Sequence, residues 1–279
     1  MKNIIPKEKD LRTVHKNLIS LIGPRPICFA STIDKDGNSN LAPYSFFNVF
    51  SAKPPILVFS PARSGRTNLT KDTHENIKEV PEVVVNLVNY EMVWKMSIAS
   101  SPYPRGVNEF EKAGFTEIPS DLVRPSRLKE SPAQLECKVQ EIKEMGHTGG
   151  AGNLVICEVL KIHIDEEMIG DTGYADPRKM DLVARMGDAW YCRANGDALF
   201  KVDKSLAEES IGFDRLPEPI KKSTVLSAND LGKLAALESN KLPKNIQSEI
   251  AINLDLHKKA KELIKNGQVE EALKILTTT

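Results

Sequence analysis

Residues 25–60 read RPICFASTIDKDGNSNLAPYSFFNVFSAKPPILVFS. The run 27–33 reads as a strand. Asp34-Lys35-Asp36-Gly37-Asn38 after it is turn chemistry, because Asp-Gly supplies the positive-φ position a hairpin needs. A return strand is expected over 40–50, interrupted near Pro43, since proline cannot donate to a ladder and suits an edge, a bulge or a strand start. Lys53-Pro54-Pro55 then sets up a third strand over 56–60.

Outward from this hairpin the β pattern continues. Residues 83–88 are a β-branched run. Residues 135–145 alternate, with Leu135, Cys137 and Val139 against Glu136, Lys138 and Gln140, and the phase drifts after Val139, which predicts a bulge there. Residues 153–164 form the matching run, and the glycine-rich 147–152 between them reads as a loop. Short helices are expected over 10–22, ending at Gly23-Pro24, near 91–99, and over 107–112 before Gly114. The proline-containing stretch 115–132 reads as loop. Many strands with turn signals and only short helices point to an antiparallel barrel and away from a βαβ sheet.

The pattern changes after about residue 200. Leu216-Pro217-Glu218-Pro219 reads as a linker, and helices are expected over 229–238, 246–265 and 269–276. Ile246, Ile250 and Leu254 recur at helical spacing and need covering, by the barrel or by a partner subunit. Lys259–Leu276 is similar to one helical hairpin of a repeat protein. The expected division is 1–214 and 215–279.

Composition narrows the function. The 279 residues, 41% hydrophobic, can bury a sizeable core. Lys+Arg and Asp+Glu both number 38, a balance that argues against a nucleic-acid partner. Cysteines 28, 137, 157 and 192 form no Cys-x-x-Cys pair, and the histidines show no ligand spacing, so no metal is expected. The apolar runs fall well short of the ~18 residues a membrane span needs. With no secretory pattern at the start, a cytoplasmic protein is expected.

Two constellations could carry chemistry. In Lys71–Glu79, Asp72 suits an N-cap and Glu75 completes a capping box. The amides of Thr73, His74 and Glu75 would then face outward at the positive helix end, ready for phosphate beside the Lys71 ammonium and Thr73 hydroxyl. An ordinary capped helix is the other reading of the same residues. Across the Asp36-Gly37 turn, Ser31 and Thr32 fall near Asn40 and Ala42, clustering hydroxyls, an amide and backbone groups around Pro43. A flat heteroaromatic ring edge calls for such a mixture, with Tyr44, Phe46 and Phe47 as walls. A hydrophobic strand with a proline bulge is the alternative. Together the two suggest a phosphorylated cofactor lying on strands. The glycines at 149, 150 and 152 do not make a dinucleotide fingerprint and precede a strand. Residues 180–191 place Arg185, Trp190 and Tyr191 near Gly187, suited to closing over a ring or to a dimer contact.

RPICFAST, DGNSNLAPYSFFNVFSAKPPILVFS, KDTHENI, VVVNLV and SPAQLEC, in this order and spacing, resemble the flavin reductase-like family over about residues 10–200. The resemblance implies a mainly β fold with peripheral helices, an FMN-binding split antiparallel β-barrel, followed here by a C-terminal helical extension. It implies a homodimer with FMN at the subunit interface and NADH or NADPH as hydride donor. Carried over, Ser31 and Thr32 meet the phosphate or ribityl chain. Asn40, Ala42, Pro43, Tyr44 and Ser45 line the isoalloxazine. Ser60, Arg66, Lys71 and Thr73 belong to the phosphate side, and His147 and Arg185 approach the ring. The activity implied is NAD(P)H-dependent oxidoreduction with onward electron transfer. The alternative is a non-enzymatic FMN electron carrier, like a flavoredoxin, reduced by a partner protein. A third reading is an interaction protein that recruits partners through its tail.

Overall fold

The computed structural model describes residues 1–202, 209–241 and 253–277. The chain divides into two compact units, Met1–Phe200 and Lys201–Thr279.

The first unit opens with helix α1 (Leu11–Leu21), capped by Asp10. Strands β1 (Arg25–Pro26), β2 (Cys28–Ile33), β3 (Ser39–Tyr44), β4 (Phe47–Ala52) and β5 (Pro55–Phe59) follow. Next come α2 (Asp72–Glu79), β6 (Glu82–Leu87), α3 (Val93–Ala99) and α4 (Glu109–Ala113). A short ladder, β7 (Glu117–Ile118) with β8 (Arg127–Leu128), lies inside the stretch expected to be loop. The long strands β9 (Ala133–Glu144) and β10 (Asn153–Ile164), the short α5 (Pro177–Met180), and the hairpin β11 (Val183–Arg185) and β12 (Tyr191–Arg193) complete it.

Seven strands form one antiparallel sheet in the order β3-β2-β6-β9-β10-β5-β4. Consecutive β3 and β4 therefore occupy opposite edges. Only Ser45 and Phe46 separate them, a span of roughly 10 Å at most. The sheet must curl until its edges meet at that corner, where the Ser60 N–H donates to the Phe46 carbonyl at 2.9 Å. Since β3 and β4 are not laddered to each other, the barrel is split. Pro43 fits this edge. Two residues earlier, the Leu41 N–H turns away from β2 to Glu109 Oε2 (3.0 Å), so the proline sits where an outward N–H would be and no ladder bond is lost.

The bulge expected after Val139 is present: Ile156 pairs with Glu141 and Cys157 with Val139, leaving Gln140 extra. The Asp36-Gly37 turn is present too, with Gly37 at φ +90°. Alternation along β2 feeds two cores. Cys28 and Ala30 join Phe59, Ile77, Val85 and Cys157 inside the barrel. Phe29 joins Leu41, Met96, Phe110 and Phe115 under α3 and α4. Cys28, Cys137 and Cys157 are buried free thiols, and burial pushes the Cys137 thiol up to about 12. They act as small hydrophobes.

The second unit has its own core. Helices α6 (Glu218–Lys221), α7 (Ala228–Ala235), α8 (Leu254–Lys265) and α9 (Val269–Thr277) bury Ile220, Leu234, Ile264 and Leu273 together. Leu216 and Ile220 belong to this core, so the stretch expected as a linker lies inside the unit, because its apolar residues pack. Ser227 and Asp230 form a capping box on α7, and Gly267 at φ +81° turns α8 into α9. His257 is buried, with Nδ1 2.7 Å from Ser223 Oγ. Ile246 and Ile250 lie outside the described residues.

Candidate functional site

The β2–β3 register sorts the expected residues onto two faces. Thr32 opposes Asn40, Ala30 opposes Ala42 and Cys28 opposes Tyr44, all toward the barrel interior. Ser31 opposes Leu41 and Phe29 opposes Pro43, toward α3 and α4. Ser31 and Thr32, expected to act together, thus point apart, as neighbours on a pleated strand must. Both are fully buried, and among the described residues the Ser31 hydroxyl has no partner.

On the inner face a polar knot joins strand to helix. Asn40 Nδ2 donates to Thr32 Oγ1 (3.1 Å) and to Thr73 Oγ1 (2.9 Å), and the Tyr44 hydroxyl donates to Thr73 Oγ1 (2.9 Å). Asn76 Nδ2 also reaches Thr32 Oγ1, at 3.3 Å. Burial pushes the Tyr44 phenol up, and its ring lies 5.4 Å from that of Phe59. Thr73, expected to offer its hydroxyl to phosphate, is fully buried and turns it inward to this knot.

The start of α2 corrects the capping pattern. Lys71 is the N-cap: its carbonyl accepts from the N–H of His74 and of Glu75. Asp72 is therefore already the first helical residue. Glu75 pairs elsewhere, with the Thr70 hydroxyl holding its carboxyl below the usual range and His74 Nδ1 at 3.2 Å. Of the amides expected to face outward, those of His74 and Glu75 are thus taken, and since no side chain caps the helix only the Asp72 and Thr73 amides are left for a ligand, with Lys71 exposed beside them.

Arg66 lies exposed on a tight turn whose Ser64 Oγ accepts from the N–H groups of Arg66 and Thr67. This turn packs on the 147–152 loop. Asn68 Nδ2 donates to the His147 carbonyl (3.1 Å), and a Cβ on Gly149 would stand 2.9 Å from the Ser64 carbonyl oxygen. Ser60 is buried, its hydroxyl accepting from the Asn153 N–H at 3.1 Å. His147 has an exposed ring 3.5 Å from Glu144. It stands with this loop pair and is not among the residues lining the cleft that holds Arg185.

That cleft, of about 220 Å³, is lined by Ile27, Pro43, Tyr44, Ser45, Met96, Ser100, Arg185 and Tyr191. The Arg185 guanidinium lies 4.4 Å from the centre of the Tyr191 ring and donates to the Asp188 carbonyl. Trp190 projects away, 74% exposed. Sequence reasoning missed Ile27, Met96 and Ser100. Met96 lies on α3 and Ser100 ends it, and nothing in the sequence ties that helix to β3.

The fold also brings Asp121, Glu136 and His163 within 4.8 Å of one another. Lys161 already pairs with Asp121 and Arg127 lies 3.9 Å from Glu136, so cations hold these carboxylates.

The site sits on a split barrel with a helix start free of side-chain caps close to its edge strand. The flavin reductase like domain matches residues 23–182, and the chain belongs to that family. An uncharacterized protein of Aquifex aeolicus is 36% identical over 198 residues, 71% of this chain and 98% of its own length. Nitrilotriacetate monooxygenase component B from Bacillus cereus superposes with a TM-score of 0.67 at 28% identity, covering 72% of this chain and 98% of that one. The 2-nitrobenzoate 2-nitroreductase of Pseudomonas fluorescens superposes at 0.63 with 26% identity, covering 74% and 99%. Among the described residues no helix is long and apolar enough to cross a membrane.

Proposed function

We propose that the chain is an FMN-dependent oxidoreductase that takes hydride from NADH or NADPH and works as a homodimer in the cytoplasm. The observation that carries this reading is the start of α2. It is uncapped by any side chain, flanked by Lys71, and tied through Thr73 to Asn40 and Tyr44 on the edge strand. Open helix amides with a nearby ammonium suit a phosphate, and an edge strand suits a ring edge, so the residues present fit a flavin mononucleotide. When bound, flavin supplies the two-electron chemistry.

The chain's own residues position it. Lys71 and Arg66 hold the phosphate, with Ser60 keeping the adjoining loop in place. Thr73 acts through its backbone N–H and by fixing Asn40 and Tyr44. Asn40, Ala42, Pro43, Tyr44 and Ser45 line the ring, with Thr32 behind Asn40. Arg185 faces that ring from the opposite wall of the cleft, and His147 belongs with the phosphate-side loops. Ser31 supports the strand from its other face. The likeness to a monooxygenase component supports an acceptor outside this chain.

Anaerobic titration of the FMN-loaded protein with NADH and with NADPH tests the reading. Bleaching of the flavin absorbance by one nucleotide is expected. A yellow protein that neither nucleotide bleaches is an electron carrier, and a colourless protein that ignores added FMN removes the flavin reading.

A further inference from the structure

α2 meets the far end of β9 in a polar cluster. His74, on the first turn of α2, has a side chain with no solvent exposure. Its Nδ1 lies 3.2 Å from Glu75 Oε1. A carboxylate only accepts, so Nδ1 carries the proton and Nε2 turns its lone pair the other way. Nε2 stands 3.4 Å from Glu144 Oε1, yet among the described residues it has no hydrogen-bond partner. The other carboxylate oxygen, Glu144 Oε2, lies 3.5 Å from Nδ1 of His147, whose ring is 83% exposed. Lys78 Nζ approaches Oε1 at 3.1 Å. The Asp121 cluster differs, because His163 Nε2 there already bonds Glu136 at 2.7 Å.

We propose that His74, Glu144 and His147 form a site for a divalent transition-metal ion of the zinc type, which clasps α2 to the loop between β9 and β10. A bare imidazole nitrogen facing a carboxylate oxygen calls for a cation between them. Ligand atoms each about 2.1 Å from a tetrahedral ion stand roughly 3.4 Å apart. The His74–Glu144 separation matches that spacing. Imidazole nitrogen with carboxylate oxygen is a zinc donor set, whereas magnesium and calcium take oxygen ligands. Glu75, on the far ring nitrogen, is the outer partner that orients a metal-binding histidine and raises its basicity. Helix and strand hold His74 and Glu144. The exposed His147 ring turns in as the third ligand, while Asn68 anchors its backbone carbonyl. Lys78 then gives up Oε1 to the ion. No sequence spacing announces this set, because α2 and the end of β9 lie far apart in the chain. The proposal does not rest on the flavin reading.

The test is calorimetric titration of the full-length protein, stripped of metal by a chelator, with zinc chloride. A single saturating ion per chain is expected, and zinc should raise the melting temperature. Glu144→Gln, at the exposed end of β9, keeps the side-chain shape. It should weaken zinc at least about tenfold, since losing even an outer partner of a metal ligand costs that much. Lys78→Ala should bind zinc at least as tightly as wild type, because it removes a competing cation. His163→Gln, in the Asp121 cluster, should bind as wild type does. In nitrogen-labelled protein, zinc should shift the Nε2 resonance of His74. No saturable zinc binding, wild-type affinity in Glu144→Gln, weakened binding in Lys78→Ala or His163→Gln, or an unmoved His74 resonance each overturn the proposal. FMN uptake does not enter the test, so this proposal and the flavin reading fail separately.

Discussion

Replacing Thr73 with alanine tests the polar knot that joins the edge strand to α2. The Thr73 hydroxyl accepts from Asn40 Nδ2 and from the Tyr44 hydroxyl, both at 2.9 Å, at a position with no solvent exposure. Without it, Asn40 keeps only Thr32 Oγ1, and the Tyr44 hydroxyl loses its partner. A net hydrogen bond is worth about 1 kcal/mol, and stranding a buried donor costs about 1–3 kcal/mol. Little volume is removed, so the cavity cost is small, and Thr73→Ala should destabilise the barrel by about 2–3 kcal/mol. Tyr44→Phe removes one of the two donors and should cost about 1 kcal/mol. Because the two residues share a bond, the double variant should cost about 1 kcal/mol less than the sum of the singles. Urea unfolding, followed through the sheet signal in far-ultraviolet circular dichroism, measures all three, with Thr73→Ser as the control that keeps the hydroxyl. A Thr73→Ala variant within about 0.5 kcal/mol of wild type, or strict additivity, would show that these bonds do not couple strand to helix.

Lys71→Ala should weaken FMN binding by about 1.5–3 kcal/mol, the range of a charge-assisted hydrogen bond, and unchanged affinity in a fluorescence titration would remove the phosphate assignment. Phe59→Ala, at a fully buried ring inside the barrel, should cost about 3–5 kcal/mol in the same urea assay, and a cost under about 1 kcal/mol would contradict the packing described. Burial holds the His257 imidazole below its ordinary range, so the folded ring resists a proton that the unfolded ring takes near about pH 6.5. The second unit's stability is therefore full above about pH 6.5 and declines as pH falls toward the folded pKa. Amide exchange in α8, corrected for intrinsic rates, should speed up on acidification while the barrel strands hold, and uniform protection would refute this. Truncation after Phe200 should leave a folded barrel that binds FMN within a few-fold, less than ~1 kcal/mol, because that unit carries its own cores. A soluble truncation without flavin would show that the tail helps build the site.

Much of the barrel is legible from local pattern. Strand 153–164 ends where its alternation ends, the hairpin turns at Asp36-Gly37, and the phase drift after Val139 marks the extra Gln140. These features depend on residues close in sequence, whose φ/ψ limits and side-chain period act before any tertiary contact. Asn40 and Tyr44 are legible beside Pro43, and Thr73 separately at the helix start, because hydroxyls and amides are conspicuous within an apolar hairpin and a helix start; that they meet is shown only by the structure.

Other features were decided by partners far along the chain. The sequence pattern put the cap of α2 at Asp72, yet the Lys71 carbonyl takes the first helical bonds and Glu75 turns to Thr70 and His74. Thr73 looked like a phosphate ligand until packing turned its hydroxyl toward Asn40, 33 residues earlier. Leu216-Pro217-Glu218-Pro219 reads as linker because of its two prolines, and only the α7–α9 helices reveal what Leu216 buries against. The cleft is the clearest case. Arg185 reaches Ile27 and Pro43 only because β11 pairs with β1, and α3 then brings Met96 and Ser100 to the same wall. By itself the sequence pattern determined an antiparallel barrel with a polar hairpin, since its strands and turns are set by local sterics and alternation, and the split form came only with the family resemblance. Tertiary structure alone decided which side chains share a face and which polar groups go unpartnered, because burial and long-range pairing, which no local window contains, set both.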